Sequence, residues 1–251
     1  MSGHSKWSSI KHKKALTDAR KGQQFTKMAR EISIAAREGG GSADGNYRLR
    51  LAIEKARNVN MPQDNIQRAI KRGTGELGGA QMEELRFEGY GPHGVAIMVD
   101  TVTDNRNRTS GEVRNLFSRA GGNLGATGSV SWMFTRQGQI VVDATGRDPD
   151  EAGLEAIDLG ANDARVDSNT VEIITDPARL EPVQEGLKKK GFKIDSAEVT
   201  MNSSQVVSLD ENKAPSVLKL LDLLEEHDDV QSVYSNIDVS ADVMERISER
   251  V

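Results

Sequence analysis

Along the first third of the chain, apolar residues recur at spacings of three and four. Phe25, Met28, Ala29, Ile32 and Ala36 make one such stripe, which predicts a helix over 18–38. The run Gly39-Gly40-Gly41 ends it. A second helix is expected over 46–57, burying Leu49, Ala52, Ile53 and Ala56. A third opens with Pro62 in its first turn, where a missing N–H costs nothing, and turns Ile66, Ala69 and Ile70 inward. GTGELGGA, residues 73–80, reads as a flexible linker. The opening MSGHSKWSSIKHKKALT follows neither the helical nor the strand period and reads as an arm.

Beyond the linker the period falls to two. Strands are expected over 84–88 and 95–102, joined by a tight Gly-Tyr-Gly-Pro-His-Gly connection. A helix follows, with Thr109 and Glu112 in capping-box spacing and Val113, Leu116, Phe117 and Ala120 as its stripe. Gly121 and Gly122 stop it, and a strand over 129–135 would hold Trp132. Next come a strand over 139–143, a helix over 149–159, strands over 164–167 and 171–175, a helix over 177–190 and a strand over 192–199. That order, β-α-β-β-α-β, is the ferredoxin-like arrangement. Asp148-Pro149 and Asp176-Pro177 open its two helices alike. A last β-α-β over 205–237 cannot bury both of its faces alone, so it is paired with the earlier β-β-α-β piece. The expected fold class is therefore α+β and multidomain, with a three-helix N-terminal domain, a basic arm and two ferredoxin-like α/β domains, the third inserted into the second. The expected boundaries are 1–17 for the arm, 18–80 for the helical domain and linker, 81–135 with 201–251 for the split domain, and 136–200 for the insertion.

Charge sharpens this division. The chain carries −5 overall, yet residues 1–72 hold 16 Lys/Arg against 6 Asp/Glu, while residues 136–251 hold 12 against 25. A concentrated positive field attracts polyanions, so the basic third is expected to meet nucleic acid. In the arm, Lys6, Lys11, His12, Lys13 and Lys14 suit phosphates, and Trp7 suits stacking on an unpaired base or, alternatively, packing on the helical domain. Arg20, Lys21, Lys27, Arg48, Arg50, Arg68 and Lys71 extend that candidate surface over the helices. Arg106, Asn107 and Arg108, in a strand-to-helix turn, offer forked donors for phosphates or sugars, or arginines that anchor a domain contact.

Enzymatic chemistry has no foothold. Without cysteine there is no disulfide, thiolate zinc site or cysteine nucleophile. The four histidines, His4, His12, His93 and His227, include no i, i+4 pair, so neither a metal nor a cofactor is expected. Gly121-Gly122-Asn123-Leu124-Gly125 lacks the Gly-Lys-Ser/Thr ending of a phosphate loop. The pairs Glu225-Glu226 and Asp228-Asp229 read as solvated helix ends. No run of about 18 apolar residues or signal-peptide core is present, and the Lys-rich opening differs from an Arg-rich presequence, so a cytoplasmic protein without membrane or small-molecule partners is expected.

MSGHSKWSSIKHKK, FTKMAREISIAAREGGG, NMPQDNIQRAIKRGTGE, EGYGPHGVAIMVDTVTDNRNRT and GGNLGATGSVSWMF together resemble the YebC/PmpR family. The likeness covers nearly the whole chain. His93 stands where the family commonly has Gly, and Gln23 where a basic residue is usual. The resemblance implies three domains with the third inserted into the second, and a regulator acting through nucleic acid. Bacterial members are described as DNA-binding transcriptional regulators, whereas relatives such as the mitochondrial translational activator of cytochrome oxidase act in translation, and bacterial members have been linked to ribosomes slowed at proline runs. The irregular basic arm beside an acidic body tilts the expectation towards ribosomal RNA over DNA, with a protein-interaction module as a third class.

Overall fold

The computed structural model describes residues 18–78 and 82–240, with 243, 246 and 247 beyond them; the expected arm lies outside the described residues. It divides into two compact units. Residues 134–204 form one, and the helical and split segments together form the other. The fold is α+β, with a helical N-terminal domain and two ferredoxin-like α/β domains, the third inserted into the second.

Three helices build the N-terminal domain: α1 (Asp18–Gly39), α2 (Tyr47–Asn58) and α3 (Gln63–Gly73). Ile32, Ala35, Ala36, Leu49, Ala52, Ala56, Ile66 and Ala69 form its buried core. Asn46 caps α2 by accepting from Leu49 N (3.0 Å), and its amide donates back to Ala35 O (2.7 Å). The Ser33 hydroxyl bonds the Ala29 and Ala69 carbonyls, both at 2.8 Å, joining α1 to α3. Close by, a Cβ on Gly73 would stand 2.2 Å from Ser33 O, so only glycine permits this approach.

The split domain contributes β1 (Glu83–Tyr90), β2 (Ala96–Thr103), α4 (Arg106–Arg119) and β3 (Asn123–Leu124) before the insertion. After it come β8 (Val207–Ser208), α7 (Ala214–Glu225), β9 (Val230–Ser235) and β10 (Ile237–Asp238). Its main sheet runs β3-β1-β2-β9, antiparallel throughout, and β8 pairs with β10 in parallel. Val95, Ile97 and Val99 meet Val113 and Phe117 of α4 and the Leu-rich face of α7 in one core. His93, between β1 and β2, is left-handed at φ 62° and ψ 19°, a conformation glycine adopts at no steric cost.

The insertion holds β4 (Phe134–Asp143), α5 (Pro149–Asp158), β5 (Asp163–Asp167), β6 (Thr170–Thr175), α6 (Leu180–Lys189) and β7 (Lys193–Ser203). The sheet order β5-β6-β4-β7, all antiparallel, is that of a split β-α-β pair.

Four local expectations are corrected. α4 begins at Arg106, capped by Asn105, whose side chain accepts from Arg108 N (3.1 Å). Thr109 is no cap: its side chain is buried and donates inward to Asp229 (2.6 Å). The two strands expected over 129–135 and 139–143 are one strand, β4, preceded by a single 3-10 turn over Ser131–Met133 that carries Trp132. Asp229 is not a solvated helix end but is 2% exposed.

Candidate nucleic-acid interface

Where the basic side chains of the helical domain end decides which of them can meet a polyanion. Arg48 pairs with Glu38 and Glu84. Arg50 donates to Ala43 O (2.8 Å) and lies over the Tyr47 ring. Arg37 donates to Met82 O. Along α1, Gln23 donates to Asp228 Oδ1 (3.1 Å), Lys27 to Glu225 O, and Arg30 to Asp228 O. Burial pushes the Lys27 ammonium down to about 8, although Glu225 and Asp228 beside it favour its charge.

Arg30 also reaches Asp229. Its carboxylate meets Arg30 at 2.6 Å, Arg108 at 2.8 Å and Thr109 at 2.6 Å, with the Thr103 hydroxyl at 3.2 Å. Burial opposes its charge, but the Thr109 hydroxyl, Arg108 and Arg30 outweigh that and hold the carboxyl at about 2. Arg108, expected to serve an external partner or a domain contact, bonds Asp229 and Asp104 while its side chain stays 41% exposed. Glu112, His227 and Asp229 also bring donor atoms within 4.8 Å of one another. His227 Nε2 already meets Glu112 (2.9 Å), its Nδ1 accepts from Asp229 N (3.1 Å), and two guanidiniums stand where a metal cation would.

A different face remains open. On α3, Ile66 and Ala69 point into the core, and Arg68, Lys71 and Arg72 are exposed on the other side at i, i+3 and i+4. Among the described residues none of the three has an ion-pair partner, and neither does Arg57 at the exposed end of α2. Arg57 and Arg72 were not singled out from the sequence, although the spacing from Arg68 to Arg72 was a readable signal. Gln63 and Gln67 are exposed near the start of the same helix. Lys21 is exposed and makes a contact of its own. Arg106 and Asn107 are exposed in the first turn of α4, away from this row. Lys6, Trp7, Lys11, His12, Lys13 and Lys14 lie outside the described residues, as does the side chain of Arg20.

The arrangement is thus a helical module latched to a split α/β domain, with a basic row on α3 that has no ion-pair partner among the described residues. Comparison with known proteins places it. Residues 5–76 match the family described as "TACO1/YebC protein N-terminal domain", and residues 82–237 match "TACO1/YebC second and third domain". The chain belongs to the TACO1/YebC family. A protein of Halothermothrix orenii named "Probable transcriptional regulatory protein" is 51% identical, over 99% of this chain and all of its own length. A counterpart of the same name in Persephonella marina is 52% identical over 99% of this chain and all of its own. The crystal structure of a conserved hypothetical protein from Aquifex aeolicus is similar at a TM-score of 0.82 and 48% identity, covering 89% of this chain and 92% of that one. Neither the family descriptions nor these names describe an enzyme. Among the described residues no helix is long and apolar enough to cross a membrane.

Proposed function

We propose that the protein is a non-enzymatic regulator of gene expression that binds nucleic acid through α3 and the basic arm, and that its target is RNA of the ribosome. The exposed row of Arg68, Lys71 and Arg72, which has no ion-pair partner among the described residues, carries this reading, because these cations can neutralise phosphates without breaking a described internal bond. The 1–72 segment holds 16 basic residues against 6 acidic ones, and the acidic remainder turns phosphates away from the rest of the molecule. An irregular cationic arm suits folded RNA, which is read through shape, backbone and splayed bases.

Binding should weaken steeply with salt. With six to eight phosphate contacts the log–log slope on single-stranded RNA is about −4 to −6. Crosslinking in cells, followed by sequencing of the recovered nucleic acid, tests the target, and ribosomal RNA is the expected product. A second reading, sequence-specific DNA binding, is favoured by the names of the relatives and by Gln63 and Gln67 at the exposed start of α3, where base edges could be read. Recovery of discrete promoter DNA without ribosomal RNA would establish it in place of the first.

A further inference from the structure

The loop between α4 and β4 has no part in the interface above, yet it is held firmly. Glu88 on β1 is 3% exposed, and its carboxylate accepts from Gly128 N (2.8 Å), Val130 N (2.9 Å) and Ser131 N (2.8 Å). The Glu88 carbonyl accepts from Gly125 N (2.8 Å) as well. Burial opposes the charge of Glu88, but those three N–H groups outweigh it and keep the carboxyl below its usual range. On the clamped loop Val130 and Met133 are buried, whereas Trp132 between them is 64% exposed. Tyr90, at the end of β1, is 38% exposed. The Trp132 indole N–H and the Tyr90 hydroxyl both donate to Ser129 O, at 3.1 and 3.2 Å, which tethers the two rings at one oxygen. Their polar atoms are thus satisfied internally, while much of Trp132 and part of Tyr90 stay open to solvent.

The charge of the flanking sequence bears on what the rings meet. From Val113 to Met133 there is no Asp or Glu, but there are two arginines, Arg114 and Arg119. Arg114 and Arg119 are exposed on α4 and have no ion-pair partner among the described residues. Arg119 ends the helix, and three residues on, Gly122 packs so closely on β1 that a Cβ there would stand 2.6 Å from Tyr90 O. Exposed cations on the helix that leads to tethered aromatic rings suit single-stranded nucleic acid, whose phosphates the cations meet and whose bases stack on the rings. A paired base is already stacked on both faces and gains less.

We propose that Trp132, flanked by Tyr90, is a stacking platform for an unpaired RNA base, a contact separate from the arm and from α3. This rests on the nucleic-acid reading above, and the test separates the two. In the full-length Trp7→Phe protein Trp132 is the sole tryptophan. A labelled oligouridine is titrated in at low salt, with its anisotropy reporting binding anywhere and tryptophan emission reporting the platform. Trp132 emission should be quenched in step with the anisotropy, and duplex RNA should leave it unchanged. Trp132→Ala in the same background should bind the oligouridine about 5- to 150-fold more weakly, and Trp132→Phe should retain most of the affinity. Oligouridine binding with unaltered Trp132 emission would overturn the platform while sparing the nucleic-acid reading, and would leave these rings to a protein partner. Equal quenching by duplex RNA would also overturn it. Absence of any oligouridine binding would overturn both. The emission measurement leaves Trp132 in place, so it decides the matter even if Trp132→Ala folds poorly.

Discussion

On α1, Lys27 and Arg30 reach the loop between α7 and β9; on α3, Arg68, Lys71 and Arg72 reach no acidic partner among the described residues. Both sets belong to one small domain and look alike in the sequence, as basic residues at helical spacing. The difference lies in what stands opposite. The α1 cations face the C-terminal end of α7, where the Glu225 and Asp228 carbonyls and the buried Asp229 carboxylate accept them, and a helix C-terminus favours positive charge in any case. The α3 cations face solvent. A count of basic residues therefore overstates the surface available to a polyanion, and the useful measure is how many of them have no internal acceptor.

The sharpest way to break this comparison is to remove the shared acceptor. Asp229→Ala should destabilise the protein by about 3–5 kcal/mol, because it strands Arg30, Arg108 and Thr109 around a lost buried charge. Denaturant unfolding measures this, and a loss under 1 kcal/mol would mean that the α1 contacts hold nothing together. Replacing Arg68, Lys71 and Arg72 together by Ala should do the reverse. The thermal transition should barely move, while RNA affinity near 0.1 M salt falls about a hundredfold and the salt slope flattens by about 2, as expected for three lost phosphate contacts. An unchanged slope would remove α3 from the interface.

Within the turn at the start of α4 the same contrast should recur on a smaller scale. Arg108→Ala should cost about 1–3 kcal/mol, since it takes a charged donor from a buried carboxylate. Arg106→Ala should stay within about 0.5 kcal/mol, as befits an exposed side chain. Equal losses from the two would erase the distinction drawn between them. The same groups also answer to pH. Asp229 is held at about 2 against an ordinary 3.8, so its stabilisation is present above pH 4 and drains away as pH falls from 4 towards 2. Lys27 is lowered to about 8 from 10.5, so the unfolded chain binds more protons between those values and stability should rise there with pH. Lys27→Met should abolish that rise, and melting curves across pH 7–11 compare the two proteins.

The helices of the N-terminal domain were legible because their apolar stripes need only local spacing, as with Leu49, Ala52, Ile53 and Ala56. The β-α-β-β-α-β order was legible for the same reason. What escaped depends on distant partners. Thr109 looks like a cap because it has Glu112 three residues on, yet Asp229, 120 residues away, together with Thr103, holds it inward. Asp229 in turn looks like one more acid in an acidic run until Arg30 and Arg108 arrive beside it. Trp132 sits in an apolar run that reads as strand, yet Glu88 draws the preceding N–H groups into a turn and leaves the indole outside. The α3 row alone among the site features could have been completed by spacing, by stepping from Arg68 to Arg72.

The position of β9 has a consequence for the order in which the molecule can be made. Strand β2 lies between β1 and β9, and its partner across that second edge begins at residue 230, more than 120 residues after β2 ends. A chain emerging from its N-terminus therefore completes the helical domain first and then presents β1, β2 and α4 without a closing strand. The insertion can fold as a unit next, because β4 and β7 pair from Phe134↔Ser203 onward and all its strands lie between them. Only residues 229–235 bring β9 to β2 and, one step earlier, Asp229 to Arg30. Until then the α1 cations have no acceptor on α7 and are as open as those on α3. A nascent chain thus displays a broader basic surface than the finished protein, until synthesis of its C-terminal segment gives the α1 cations their acceptors.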